Sequence, residues 1–339
     1  MLQERRSILT APRAGLVLSL LAALLSLPGC VLMNNQINPF QTGRKPLEEK
    51  KVEGKGLDKI LIIEISNVIT GNEEERPLGL DSNESTVSRV KETLRKAEKD
   101  RRVKALVLRI DSPGGGVTAS DIIYSELIRF KQKRKVPVVA ILMDVAASGG
   151  YYVALSADEI VAHPTTVTGS IGVIMMNLNV EGLFHKIGVS DTSVKSGAHK
   201  DIGSPFRKPT PGDRLILQGV VDDLYTRFLD RVRESRTNLP EDRIRPLADG
   251  RIFTADQALK EGLIDRLGYL DDAIEDARKA AGLKQARVVL YHRPDEYTEN
   301  IYSLQSGTQA RGGVSATDLQ TLFGHATPRF LYLWAPGLP

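Results

Sequence analysis

The chain has 339 residues, of which 41% are hydrophobic and 26% are charged. This balance is typical of one large globular domain or two small ones, and it excludes a disordered or fibrous protein. The formal net charge is +4 at pH 7, and Arg5, Arg6 and Arg13, offset by Glu4, supply half of it. The rest of the chain is therefore too weakly basic to predict nucleic acid as a partner.

A targeting segment is predicted at the start of the sequence. Its arginines precede the apolar stretch AGLVLSLLAALLSLP, which at about 15 residues fits a signal sequence better than a span of roughly 20 residues across a bilayer. The following LPGC resembles a bacterial lipobox, whose cysteine is acylated. Cys30 is also the only cysteine of the chain, which excludes an internal disulfide.

Three arrangements of this segment remain open: a lipoprotein acylated on Cys30, an uncleaved membrane anchor, and a plain cleaved signal. We expect residues 1–29 to be the signal sequence or anchor. Residues 30–57, with the charged run RKPLEEKKVEGK, are predicted to form a tether. Each arrangement places the following chain outside the cytoplasm, at a membrane of the bacterial cell envelope.

One folded domain is predicted over residues 58–292. The β-branched runs KILIIEISNVIT and VKALVLRI favour strands, and between them Val87, Val90, Leu94 and Ala97 recur at helical spacing. The alternation continues with the helix TASDIIYSELIRFKQK, the strand VPVVAILM, and the short strands EIVAHP and IGVIMM. Strands that alternate with crossover helices predict an α/β domain with a largely parallel, buried sheet.

The later elements continue this pattern. Thr210 is a predicted N-cap and Pro211 the first residue of a long helix. FTADQALKEGLIDRLGYLDDAIEDARKAAG predicts two helices separated by a short extended piece at 263–266, and ARVVLYHRP is predicted to complete the sheet. Residues 293–339 are rich in Gly, Ser, Thr and Gln and are expected to form a flexible C-terminal tail that is loosely structured until PRFLYLW.

Two stretches carry candidate chemistry. Ser148 lies between two alanines and two glycines where a predicted strand gives way to a helix, so its hydroxyl and the Gly149 amide lie at the positive end of the helix dipole. In DSPGGGV, at 111–117, the glycines leave amide groups open to an oxygen anion. A phosphate cradle also fits that turn, although no Gly-Lys-Ser/Thr or Gly-x-Gly-x-x-Gly spacing accompanies it. Ser148 alone also fits a plain N-cap.

A nucleophilic serine needs a group that takes its proton. KSGAHKDIGSPF places Lys200 in a glycine-containing loop, where a lysine is ordinarily solvated. Four histidines lie in settings typical of surface or turn residues: His163, His185, His292 and His325. The residues alone therefore do not identify the general base.

DSPGGGV, AASGGYY, TGSIGVI, KSGAHKD and DGRIFTADQALKEGLIDRLGYLDDAI occur in this order. Together they resemble the signal peptide peptidase A family of serine-lysine proteases, in its short single-unit form, over about Leu57 to Tyr291. The resemblance implies a Clp protease/crotonase-like α/β fold of repeated β-β-α units with a parallel sheet. Residues 58–292 would then be the peptidase domain.

The resemblance also implies the site. Ser148 would be the nucleophile, Lys200 its general base, and Ser170 in TGSIG the residue that orients the lysine. The amides of Gly115 and Gly149 would form the oxyanion hole, and no cofactor or metal is implied. Tandem members carry the serine and the lysine in different repeats, which implies a homo-oligomer with sites between subunits.

Remnant signal peptides and other extended apolar peptides are the expected substrates, bound as an added strand at the membrane. Two other classes remain open: a non-catalytic envelope scaffold, and a crotonase-type acyl-thioester enzyme. Only the protease should be labelled on Ser148 by a fluorophosphonate.

Overall fold

The structure is a computed structural model that describes residues 45–72, 84–294, 300–302 and 330–334. The predicted targeting segment and Cys30 lie outside these residues. The helices of the described part are α1 (Thr86–Lys99), α2 (Val117–Arg134), α3 (Gly149–Ala154), α4 (Glu181–Lys186), α5 (Pro211–Ser235), α6 (Glu241–Leu247), α7 (Ala255–Lys260) and α8 (Leu270–Ala280). Within those residues, no helix is long and apolar enough to cross a membrane.

The strands lie between and around these helices. In chain order they are β1 (Glu48–Gly54), β2 (Lys59–Ser66), β3 (Val103–Ser112), β4 (Gly114–Gly116), β5 (Val138–Ala147), β6 (Glu159–Ala162), β7 (Val167–Gly169), β8 (Ile174–Met175), β9 (Ile252–Thr254), β10 (Arg266–Leu267), β11 (Arg287–His292) and β12 (Phe330–Leu333).

Most of the strands form one mixed sheet, with the order β1-β11-β2-β3-β5-β6-β10. The strands from β11 to β10 are parallel, and β1 joins the edge antiparallel. The C-terminal end of β5 pairs in parallel with β7, and β7 pairs antiparallel with β9. A second, small sheet has the order β4-β12-β8. The predicted α/β class is confirmed, and β3, β4 and α2 follow one another as a β-β-α unit.

The parallel strands are apolar on both faces because helices cover both. In β2, Leu61 and Ile63 face the core beneath α1, α2 and α3, whereas Ile60 and Ile62 face the core beneath α8. This alternation is the period of two expected for a strand. Because both faces of β2 are buried, KILIIEIS is almost uniformly apolar instead of alternating between apolar and polar residues.

The helix start predicted at Thr210 is confirmed. The Thr210 hydroxyl accepts a hydrogen bond from the Asp213 amide, the Asp213 carboxylate accepts one from the Thr210 amide, and Pro211 is the first residue of α5. This reciprocal capping satisfies amides that lack partners inside the helix.

Two predicted boundaries are wrong. Within the expected tether, β1 pairs antiparallel with β11, so the folded region begins before residue 58. A charged strand suits this position because lysines at a sheet edge discourage pairing with other chains. Within the expected flexible tail, β12 pairs with both β4 and β8, and Tyr332 is completely buried. Its burial fixes this part of the tail in the fold.

Candidate active site

Ser148 and Ser170 are brought together by the sheet. Ala147 at the end of β5 pairs with Gly169 at the end of β7, so each serine follows the last paired residue of one of two adjacent parallel strands. The Ser148 amide donates a hydrogen bond of 2.8 Å to the Gly169 carbonyl. Adjacent strands lie about 4.8 Å apart, and this spacing places the two serines side by side.

The backbone at Ser148 is unusual for a residue with a side chain. Its φ is 50° and its ψ is −113°, at the junction of β5 and α3. Such a conformation costs about 1–3 kcal/mol and persists only where the surrounding structure imposes it. Ser148 occupies the N-cap position of α3, yet its side chain makes no capping hydrogen bond. The plain N-cap interpretation is therefore wrong, and the hydroxyl is left for another role.

Ser170 also has a positive φ. Its φ is 49°, its exposure is 7%, and its amide donates to the Arg251 carbonyl at 2.7 Å. Two adjacent strand ends therefore each carry a serine with a positive φ, a backbone conformation that persists only where the surrounding structure imposes it. Gly169, with φ 85°, supplies the turn between β7 and Ser170.

The two glycines predicted for the oxyanion hole also lie close together. A Cβ atom added to Gly149 would lie 3.1 Å from the amide nitrogen of Gly115 and 2.6 Å from the Ser120 hydroxyl oxygen. A Cβ added to Gly115 would lie 2.2 Å from the Ile69 carbonyl oxygen. Both positions disfavour a side chain: the Ile69 backbone fills the space at Gly115, and the Ser120 hydroxyl and the backbone of Gly114 and Gly115 crowd the space at Gly149. The two amides thus meet within a few ångströms of Ser148.

A cavity of about 490 Å³ opens over the serines. Its walls combine apolar side chains with the strained turns and the strand β12, and its lining residues are Ser148, Ser170, Gly172, Val173, Ile174, Tyr225, Ala248, Asp249, Gly250, Leu333 and Trp334. Hydrogen bonds from Arg251 lower the pKa of Asp249 to about 2, so this carboxylate of the rim is ionised and paired with the Arg251 guanidinium. The cavity suits an apolar chain with a few polar contacts.

The strand β12 lies beside the predicted oxyanion turn. Tyr332 pairs with Gly115 of β4, and Leu331 pairs with Ile174 of β8. The Tyr332 ring packs 5.1 Å from that of Tyr152 and 4.8 Å from that of Phe228, measured between ring centroids. An extended apolar segment of the chain itself therefore fills the space between β4 and β8.

Lys200 is not part of this cavity. It lies in the loop between α4 and α5, where every residue from 191 to 200 is exposed. Among the described residues that line the cavity there is no lysine. The structure thus brings four of the five predicted catalytic residues together and leaves the fifth on the surface of the same chain.

Several residues of this region were missed by the sequence analysis. Tyr225 was only one more residue of an amphipathic helix, and Asp249 was read only as part of a longer motif. Trp334 follows FLYL. A run of four apolar residues without a β-branched residue is too short to identify a strand from its pattern. His199 was overlooked, although it is adjacent to Lys200 in the sequence. In the described ranges, no group of three or more His, Cys, Asp or Glu side chains is placed to hold a metal ion.

Comparisons with known proteins identify the family. The model of peptidase family S49 matches residues 130–284, and a Clp protease model matches residues 72–167. A protein of Enterococcus faecium named as a signal peptide peptidase, SppA, is 36% identical over 254 residues, which are 74% of this chain and 72% of that protein. The chain belongs to the signal peptide peptidase A family, peptidase family S49. It is a serine peptidase with a Clp protease-like α/β fold.

Two other relatives define the extent of the S49 region. A protein of Synechocystis named as a protease is 45% identical over 195 residues, covering 58% of this chain and 69% of that protein. Protease 4 of Salmonella typhi is 35% identical over 235 residues, which are 69% of this chain but 37% of that protein. This S49 chain thus spans well under half of the length of Protease 4.

Proposed function

We propose that this S49 peptidase is a membrane-tethered endopeptidase that cleaves remnant signal peptides and other extended apolar peptides. Ser148 is the nucleophile, Lys200 of a neighbouring subunit is the general base, and Ser170 orients that lysine. The observation that carries the proposal is Ser148 itself: a buried serine with a strained backbone and no capping bond, facing a cavity lined by both apolar and polar groups, beside two crowded glycines.

The chemistry is acyl transfer. The neutral Lys200 amine takes the Ser148 hydroxyl proton as Oγ attacks the peptide carbonyl carbon. The carbonyl oxygen becomes an oxyanion, to which the amides of Gly115 and Gly149 donate. Collapse of this intermediate breaks the C–N bond, the lysine returns the proton to the leaving amine, and an acyl-enzyme remains. Water then hydrolyses the ester by the same route.

A shared site between subunits is supported by the surroundings of Lys200. Large apolar side chains are unusually exposed on both sides of it in the sequence, and such surfaces mark contacts with another protein. Those exposed by more than 40% between residues 178 and 220 are Leu178, Leu183, Ile187, Val189, Val194, Phe206, Leu215 and Ile216. A homo-oligomer that buries this surface can bring Lys200 to Ser148 of the next subunit.

The substrate class is supported by β12. The chain's own FLYL segment lies between β4 and β8 as an antiparallel strand, so this groove accepts an extended apolar segment through backbone pairing. A peptide bound in this way gains its affinity from main-chain hydrogen bonds and its selectivity from alternate side chains. Remnant signal peptides are apolar and are released at the membrane where we expect the enzyme to be held.

Incubation with a mixture of synthetic signal peptides, followed by mass spectrometry, tests the proposal. The wild-type protein should produce defined fragments, and Ser148→Ala and Lys200→Ala should each produce none while keeping the wild-type melting temperature. Ser170→Ala should lower the rate less, because it only orients the base. Undiminished cleavage by Ser148→Ala would assign the chemistry to another residue.

A further inference from the structure

The loop that carries Lys200 is fixed on both sides of the lysine. The preceding residue, His199, lies with its ring Nδ1 2.7 Å from Oδ1 of Asp213. The following residue, Asp201, accepts two parallel hydrogen bonds from the guanidinium of Arg207, from Nε at 2.8 Å and from Nη2 at 2.7 Å. Arg207 also donates from Nη1 to Oδ2 of Asp213 at 2.6 Å. One arginine thus joins the two anchors.

Asp213 connects this network to a rigid element. It is the third residue of α5, its side chain is 1% exposed, and its Oδ2 accepts the Thr210 amide at 2.9 Å. The same carboxylate therefore caps the helix and holds Arg207. A helix start fixed by reciprocal capping gives the loop a stable point of attachment.

Both carboxylates of the network remain charged at neutral pH. Hydrogen bonds from Arg207 and His199 hold the pKa of Asp213 well below its usual range, and hydrogen bonds from Arg207 and Lys195 do the same for Asp201. Charge-assisted, bidentate pairs of this kind are the strongest hydrogen bonds available to side chains.

The lysine itself is outside the network. Its backbone amide donates to the Gly197 carbonyl at 3.1 Å, and within the described part of the chain its ammonium group makes no hydrogen bond or ion pair. The network therefore fixes the backbone on both sides of Lys200 and leaves Nζ available.

We propose that Arg207, acting through Asp201, Asp213 and His199, is a positioning residue that holds Lys200 in the orientation needed for catalysis. This inference rests on the proposed role of Lys200 as the general base. The planar fork of Arg207 can bind the two carboxylates at once, whereas a lysine offers a single point charge and cannot.

Arg207→Lys tests this role by keeping the charge and removing the fork. Steady-state cleavage of an apolar peptide should show kcat lowered about 10- to 100-fold, because a misplacement of 1 Å can cost about 100-fold. KM should stay within about two-fold, because Arg207 lies outside the cavity and β12. Labelling of Ser148 by a fluorophosphonate should slow in parallel with kcat, since both need the base.

Arg233→Lys is the matched control. Arg233 is also partly exposed, also pairs with two carboxylates, those of Asp230 and Glu241, and lies in the last turn of α5, at the end opposite to Asp213. Its kcat and KM should stay within two-fold of the wild type. Size-exclusion chromatography of each variant reports whether the assembly is retained.

The outcomes separate this proposal from the proposed function. If Lys200→Ala cleaves normally, the general base is wrong. If Lys200→Ala is inactive but Arg207→Lys keeps its kcat, only the positioning role is wrong. If Arg207→Lys fails to assemble, the kcat of Asp201→Asn is measured instead. If neither variant assembles, the network has a purely structural role and the proposal is overturned. His199→Gln should retain at least a tenth of the activity, because His199 anchors the loop and does not take the serine proton, and a complete loss would contradict a role limited to positioning.

Discussion

Alanine at Gly115 should damage both folding and catalysis, whereas alanine at the neighbouring Gly116 should not. Neither glycine has a positive φ, so any difference between the two variants is due to space alone. A Cβ at Gly115 would lie 2.2 Å from the carbonyl oxygen and 2.6 Å from the amide nitrogen of Ile69. A Cβ at Gly116 would meet only Ala119 Cβ at 3.6 Å and the Ile69 carbonyl oxygen at 3.9 Å.

The size of the effect follows from these contacts. To reach ordinary van der Waals distance, the strand must move from Ile69 by about 1 Å, and overpacking of this kind costs about 1–3 kcal/mol. The movement also stretches two hydrogen bonds, from the Ile69 amide to the Gly114 carbonyl and from the Gly116 amide to the Ile69 carbonyl, each worth about 1 kcal/mol. We expect Gly115→Ala to lose about 2–5 kcal/mol and Gly116→Ala less than about 1 kcal/mol.

The catalytic effect should be larger than the loss of stability suggests. If the Gly115 amide stabilises the oxyanion, a displacement of about 1 Å should lower kcat about 100-fold. Urea unfolding and initial rates of peptide cleavage, measured on the same preparations below the melting temperature, give both quantities. A Gly115→Ala protein with wild-type kcat, or a Gly116→Ala protein as impaired as its neighbour, would refute this reasoning.

Three further predictions concern other parts of the molecule. Tyr332→Ala should lower the free energy of unfolding in urea by about 3–5 kcal/mol, because the ring is fully buried. Tyr332→Phe should lower it by about 1–2 kcal/mol, because the hydroxyl donates to the Leu224 carbonyl at 2.8 Å. A loss below about 1 kcal/mol for the alanine variant would place β12 outside the core. Burial alone would raise the pKa of Asp100. Hydrogen bonds to its carboxylate, of which the one from Lys59 has the largest effect, outweigh burial and lower this pKa. The pair therefore stabilises the fold above about pH 4 and less as the pH falls further, so Lys59→Met should lower the unfolding free energy more at pH 7 than at pH 3, and equal losses would contradict the pairing. Cys30→Ser should release the protein from membranes or leave an unprocessed precursor in fractionated cells, whereas membrane retention at native size would favour an uncleaved anchor.

The parallel sheet could be predicted because its signal is local. Runs such as KILIIEIS and VKALVLRI are apolar enough to be buried on both faces, and the helices between them have regular apolar spacing and recognisable caps. Ser148 could also be located, because a serine among alanines and glycines at a strand-to-helix junction is unusual.

The strands β1 and β12 could not be predicted, for different reasons. EEKKVEG is a strand only because β11 offers it a partner, and its charges resemble those of a tether. FLYL lies in the fold because Gly115 and Ile174 flank it, and these residues are far away in the sequence. The pairing of Lys200 with Ser148 could be expected only from the family resemblance and not from the residues alone, since on the proposed account the two residues belong to different copies of the chain.

The shared site is the central claim, and reassembly of mixed oligomers tests it most directly. Ser148→Ala and Lys200→Ala proteins, each inactive alone, are dissociated, mixed in equal amounts and reassembled, and the mixed composition is verified by mass spectrometry. Random mixing should place an intact serine beside an intact lysine at roughly a quarter of the contacts between subunits, if these contacts run head to tail. We therefore predict about a quarter of the wild-type activity. Verified mixed oligomers with no activity above that of the parents would show that the serine and the lysine act within one subunit.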